Sequence, residues 1–443
     1  MSSASQDSYS SPDNIFSFSV LILPPSKLIY LSRFFDHSSN FLVLSYHFIP
    51  LSTLECYYLL RLIRLTSGIL REKGGVCMKN LLAVLCMIVV ILGVSCSRQE
   101  LSTENPVDAA VIEEGTDAVF EEENDQVLMD RIDEILTELE SLNQLQNFTI
   151  THHGKVITET YFNSGSGEKT SNIYSDTKSV TSLLVGIAID EGFIKSVDQS
   201  IGDFIDLSPY ENTDRLAEIS IRDLLTMRQG LVWNSSDLSS EYHGLKNAKD
   251  PVAHVLSRKM PFAPGTTFNY SDGAAYLTSV VFTNATGRSL LEFGNEKLFA
   301  PLGIKEPVWH KDKSGNNYGG FDLFLTAQDM MKIGDMVLHR GVYEGVRIVS
   351  EDWILESTSH QAYSDGGSPD NNRYGYYWWL GEKDGLALVA AYGHGGQFIY
   401  VVEELDLVIT AQCYGAVSDD LAAQHFVTLH QAIVHDVIPL FMD

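Results

Sequence analysis

The sequence predicts an α/β protein of the α+β kind, an antiparallel β-sheet flanked by helices with a mostly helical lobe inserted. Three observations point there. A helix-period stripe over residues 127–142 runs straight into two strand-like segments, 148–150 and 156–162. A mostly helical stretch follows, its lobe covering about residues 196–305. From residue 374 onward the pattern is β, and a helix over 421–434 closes the chain.

The first helix follows from Val127, Leu128, Ile132, Ile135, Leu136 and Leu139, which line one face. The strands after it are joined by His152-His153-Gly154-Lys155, the turn of a β-hairpin. The paired histidines read as turn residues and not as metal ligands, because nothing nearby completes a site. Next comes a buried helix carrying Val180, Leu183, Leu184, Ile187 and Ala188 at helical spacing, ending near Glu191-Gly192. The helical stretch is broken at Asn234-Ser235-Ser236 and at Pro264-Gly265. A loop over 261–273, rich in Pro, Gly and Asn, opens the apolar helix 274–282. Strands are expected at 376–380, 387–391, 398–402 and 407–411, with Gly393 to Gln397 forming a turn and strand start. His425, His430 and His435 recur every five residues, and at 100° per residue a helix spreads them around its circumference.

Composition narrows the function. Apolar residues make up 44% of the 443, an ordinary globular share, but the net charge is −28. Residues 1–95 carry seven Lys/Arg against five Asp/Glu, which leaves −30 on the rest. Such a field repels nucleic acid and disfavours a polyanionic partner. The five cysteines, Cys56, Cys77, Cys86, Cys96 and Cys413, contain no C-x-x-C pair, so neither a zinc knuckle nor a redox motif is indicated.

Met78-Lys79-Asn80 followed by fourteen apolar residues, 81–94, has the form of a signal peptide over 78–95. Its core is shorter than the ~20 residues a spanning helix needs. The ending Leu92-Gly93-Val94-Ser95-Cys96 resembles a bacterial lipoprotein signal, with Cys96 as the acylated residue, although Gly93 stands where an aliphatic residue is usual. An uncleaved anchor or a plain secretion signal is the other reading. Gly74-Gly75-Val76-Cys77 is encodable as GGA-GGN-GTN-TGY, which sets a ribosome-binding GGAGG just upstream of Met78. The expectation is that translation starts at Met78 and that residues 1–77 are read-through of untranslated sequence. Residues 96–125, with Glu113, Glu114, Glu121, Glu122 and Glu123 and few core formers, read as an acidic tether to a domain spanning 126–443.

The chemistry gathers at Ser175-Asp176-Thr177-Lys178, at the mouth of the buried helix. Residues i and i+3 of a helix are neighbours, so an amine at Lys178 can take the proton of a Ser175 hydroxyl. A serine at a helix start is also a good N-cap, which is the plainer reading. Yet a capping box wants Glu or Gln at the third position, and a Lys there opposes the helix dipole and loses solvation.

Two further motifs follow in order: Tyr270-Ser271-Asp272, inside Phe262-Ala263-Pro264-Gly265-Thr266-Thr267-Phe268-Asn269, and His394-Gly395-Gly396. Together the three resemble the S-x-x-K, Y-x-N and H-x-G (a variant of K-T-G) motifs of the penicillin-recognising serine hydrolases: class C β-lactamases, DD-peptidases and their esterase and amidohydrolase relatives. The resemblance spans about residues 127–443 and implies a serine β-lactamase/DD-peptidase-like fold. It implies Ser175 as nucleophile, Lys178 as base, and Tyr270, in preference to Ser271, as proton relay. It also implies an oxyanion hole from the backbone N–H groups of Ser175 and Gln397, with His394, Gly395, Gly396 and Asp272 lining the substrate site. No metal or cofactor is implied. On this reading burial lowers the pKa of Lys178 by ~3 units, so that it can act as a base.

Two departures bear on substrate. Asp272 stands where Asn is usual, adding negative charge where a β-lactam amide would dock. His394 stands where Lys is usual and, neutral at pH 7, grips a carboxylate less firmly. Efficient β-lactam hydrolysis is not expected. Together with Met227-Arg228-Gln229-Gly230-Leu231, these features resemble the 6-aminohexanoate-dimer hydrolase and esterase branch. The expected function is cleavage of a small ester or linear amide by an envelope lipoprotein held in the membrane through Cys96. Alternatives are a DD-peptidase or weak β-lactamase and, in another class, a non-catalytic envelope-binding module.

Overall fold

A computed structural model describes residues 116–234, 237–364 and 370–442 of the chain. The signal-like segment, Cys96 and most of the acidic tether lie outside the described residues. Among the described residues no helix is long and apolar enough to cross a membrane.

Helix α1 (Thr116–Leu139) starts earlier than its apolar stripe, because the acidic residues expected in the tether join its first turns. The hairpin forms as expected from β1 (Leu145–His152) and β2 (Lys155–Tyr161), with His153 and Gly154 both at positive φ in the turn. Helix α2 (Asp176–Asp190) follows, then a run of short helices between Ile201 and Phe299 that includes α3 (Asp272–Thr286). After α4 (Ala327–Leu338) come the short strands β3 (Ala362–Tyr363) and β4 (Arg373–Tyr374). The long strands are β5 (Trp379–Lys383), β6 (Leu386–Gly393), β7 (Gln397–Val402) and β8 (Leu407–Cys413), and α5 (Asp419–Gln431) follows them.

These strands make one eight-stranded sheet in the order β2-β1-β8-β7-β6-β5-β4-β3, antiparallel throughout. Side chains alternate across β7. Phe398 and Tyr400 meet Phe426 and His430 of α5, whereas Ile399 lies on the other face, where Gly334 of α4 leaves room for it and for Val408. Helices therefore cover both faces of the sheet.

Two local expectations fail for physical reasons. Tyr376, Tyr377 and Trp378 are not in a strand. All three are buried, Tyr377 has φ 64°, and the Tyr376 and Tyr377 amides donate to Ser357 and Leu225 carbonyls instead of a ladder. His430 and His435 are not spread around a helix, because Ala432–Val437 is π-helical, with an i→i+5 repeat. Their Nε2 atoms lie 3.4 and 3.1 Å from Asp370 Oδ2. His425 is elsewhere, buried with Nδ1 unpartnered.

Candidate active site

Ser175 occupies the N-cap position of α2, but its hydroxyl makes no capping bond. It accepts a hydrogen bond from Lys178 Nζ at 3.0 Å instead, so the helix start presents the side chain and does not consume it. The preceding residue, Tyr174, has φ 47°, an uncommon conformation for a bulky side chain. It is held there by its amide donating to Asn172 Oδ1 at 2.9 Å.

Lys178 is 1% exposed and its ammonium has three acceptors: Ser175 Oγ, the Gly320 carbonyl at 3.0 Å and Asp272 Oδ1 at 2.6 Å. Gly320 has no side chain for a reason, since a Cβ there would sit 3.2 Å from Nζ and 3.3 Å from Asp272 Oδ1. The expected lowering of the Lys178 pKa does not occur. Burial does pull it down, but the charge of Asp272 and the hydrogen bond it accepts from Nζ, with Tyr270 beside them, outweigh burial and hold Lys178 above its ordinary value. Asp272 also differs from its expected place on the substrate side. It begins α3 behind the Ser271 cap, whose Oγ accepts from Ala274 N at 3.1 Å, and its own carboxylate turns inward onto Lys178.

The Tyr270 ring lies 4.8 Å from Lys178 Nζ and stacks on Trp379. Its phenol is pushed up by burial; Lys178 pulls it back and Asp272 adds to the rise. The Ser175 hydroxyl, the Lys178 amine and the Tyr270 ring thus lie together.

His394, Gly395 and Gly396 form the hairpin turn between β6 and β7, where Gly393 faces Gln397. The His394 ring lies 5.3 Å from that of Tyr174, the residue before Ser175. Gly393 makes this approach possible, because a Cβ there would collide with the Ile173 carbonyl oxygen. Burial pushes the His394 imidazole down, against a smaller opposing pull from Asp419, so it is neutral at pH 7. Gln397 is fixed by its side chain, which donates to the Cys413 carbonyl at 2.7 Å and accepts from the Cys413 amide at 3.3 Å.

One buried group near the nucleophile carries no sequence signal. Asp322 accepts from Lys246 (2.6 Å), Tyr242 (2.8 Å) and Asn172 (3.1 Å), and Asn172 is the residue that holds the Tyr174 amide. Its partners come from separate segments with no common motif, so only the folded chain assembles them. Among the described residues no group of three or more His, Cys, Asp or Glu side chains is set to hold a metal ion.

The profile of the Beta-lactamase family matches residues 146–431, well over half of the chain. The chain belongs to the Beta-lactamase family. The 6-aminohexanoate-dimer hydrolase of Paenarthrobacter ureafaciens is 23% identical over 302 residues, covering 63% of this chain and 76% of its own. Among solved structures, a Bacillus anthracis protein assigned as a 6-aminohexanoate-dimer hydrolase superposes with TM-score 0.58 at 20% identity, covering 69% of this chain and 82% of that one. EstCE1, a hydrolase with promiscuous acyltransferase activity, superposes with TM-score 0.55 at 15% identity over 69% of this chain and 99% of its own. The mixed helix and antiparallel-sheet fold is that of these proteins. This chain is a β-lactamase-family hydrolase, with a 6-aminohexanoate-dimer hydrolase among its relatives.

Proposed function

We propose that this protein is a serine hydrolase that cleaves a small, uncharged ester or linear amide through an acyl-enzyme on Ser175. The observation that carries the proposal is the Ser175 hydroxyl, released from capping and bonded to Lys178 at 3.0 Å. In the reacting form the Lys178–Tyr270 pair has already lost one proton to solvent. Ser175 Oγ attacks the carbonyl while its proton passes to that pair, and the carbonyl electron pair moves onto oxygen. Backbone N–H groups of Ser175 and Gln397 are the donors proposed for that oxyanion; losing one such donor costs about 10²–10³ in rate in enzymes of this kind. Collapse expels the leaving group, which takes the proton from Tyr270, and water then hydrolyses the ester at Ser175 by the reverse route.

Substrate neutrality is supported by the surroundings. Lys178 is balanced by Asp272, Lys246 by Asp322, and His394 is uncharged, so no free cation is left among these residues to hold a carboxylate. The segment ending at Cys96 supports export and lipid anchoring, and with them a reaction at the cell envelope.

A fluorophosphonate probe should label Ser175, and Ser175→Ala should lower turnover of p-nitrophenyl acetate or butyrate by at least about 10³-fold. Unchanged turnover in that variant refutes the proposal. In a parallel panel, nitrocefin or D-alanyl peptides outpacing the short esters would favour the penicillin-directed alternatives.

A further inference from the structure

Lys178 Nζ is ringed by three acceptors, Ser175 Oγ, Gly320 O and Asp272 Oδ1, the full complement an ammonium can serve and one more than a neutral amine can. Of the three only Asp272 can carry a charge, and it makes the shortest contact, 2.6 Å, in a site where both partners are almost wholly buried. The backbone fixes it there: Asp272 opens α3 directly after the capping Ser271. We infer that Asp272 is a positioning residue of the hydrolysis, which aims Lys178 Nζ at Ser175 and serves as the buried counter-charge of that amine. The inference rests on the serine-hydrolase reading of the same site.

The groups around the pair bear this out. Lys178 is faced by Asp176 on its own helix, by Tyr270 from the preceding loop and by Asp272 from α3. Asp272 is also felt by Tyr242, Tyr374 and Tyr377 from two other segments, and it raises each of them. Asp176 is itself buried and held well above the usual carboxylate range, first by burial, which disfavours its charged form and makes it a poor substitute counter-ion. Asp272 raises both Lys178 and Tyr270, the two groups that must release a proton before either can accept one from Ser175. An asparagine in its place would still accept the Nζ–H bond but would leave burial alone to act on Lys178, and burial favours the neutral amine.

The test is the pH profile of kcat/KM for p-nitrophenyl butyrate in the wild type, Asp272→Asn, Asp272→Glu and Ser175→Ala. The acid limb reports the ionisation of the free enzyme. In the wild type it should lie on the alkaline side of neutrality. In Asp272→Asn it should move down by about one unit or more, which raises kcat/KM at pH 7 by about tenfold. Asp272→Glu keeps the charge but lengthens the arm, so its limb should stay alkaline while kcat falls. Should Asp272→Asn not fold, as circular dichroism would show, a Glu variant with an unchanged kcat or a displaced limb overturns the inference. A folded Asp272→Asn enzyme whose limb stays put, or moves to higher pH, also overturns it. Ser175→Ala separates the two claims: if it retains turnover the hydrolase reading fails, and if it is inactive while the Asn limb is unmoved, only the role of Asp272 fails.

Discussion

Asp176 stands next to Ser175 with both carboxylate oxygens buried and unpartnered. The helix N-terminus and Lys178 both favour its charged form, yet burial outweighs them and holds its pKa well above the usual range. The unfolded chain ionises this group near pH 4, whereas the folded chain resists ionisation until higher pH. Asp176 therefore supports the fold fully below about pH 4, and that support is lost as pH rises through the folded value, by up to about 1.4 kcal/mol per pH unit. Asp176→Asn, similar in shape and never ionised, removes this slope. Urea unfolding of both proteins at pH 5 and pH 8 should show the variant gaining on the wild type as pH rises, and parallel pH curves would refute the assignment. At this scale the sequence displayed Ser175, Lys178, Tyr270 and His394 through their motifs. It did not display the direction of Asp272, because spacing along a chain does not say whether the first side chain of a helix faces a cleft or a buried amine. The sign of the Lys178 shift depended on that one contact.

Among the elements, α2 is the one that positions Ser175, and Gly186 sets how closely it can pack. A Cβ at this position would run into the indole of Trp353, which lies flat against the helix backbone. Gly inside a helix costs about 1 kcal/mol relative to Ala, so propensity alone would favour Gly186→Ala. Overpacking by one methyl group against a large buried ring costs roughly 1–3 kcal/mol, and it should prevail. The expected result is a thermal midpoint lower by a few degrees; an unchanged or higher midpoint would show that the helix and Trp353 can separate freely. Elements with a clean local period were legible in advance: the β1–β2 hairpin, α2, α3 and the three strands β6, β7 and β8. Two others were hidden by tertiary context. The aromatic run Tyr376–Tyr377–Trp378 is apolar like a strand but buried from every side by neighbouring segments. The π-helical turn Ala432–Val437 changes the period itself, so a count at 100° per residue separated two histidines that share Asp370.

At the scale of the whole molecule, the order of segments along the chain separates the catalyst from its proposed means of attachment. Val111–Asp443 is a compact unit by itself. It contains the complete eight-stranded sheet together with Ser175, Lys178, Tyr270, Asp272, His394 and Gln397. The residues that support export and acylation, the basic start at Lys79, the apolar run and Cys96, all precede it. Folding draws on the apolar surface this unit buries within itself, and the proposed chemistry draws on groups it already contains. A fragment beginning at Val111 should therefore fold, unfold cooperatively and turn over p-nitrophenyl butyrate within about twofold of the full chain, since nothing in the relay lies upstream. Attachment should behave in the opposite way. The full chain produced in a lipoprotein-processing bacterium should partition into a Triton X-114 detergent phase, and Cys96→Ser should move it to the aqueous phase without loss of turnover, because an acyl chain contributes membrane affinity in proportion to its buried methylenes. Detergent partitioning that survives Cys96→Ser would assign the anchor to an uncleaved apolar segment. An inactive Val111 fragment would show that upstream residues complete the site.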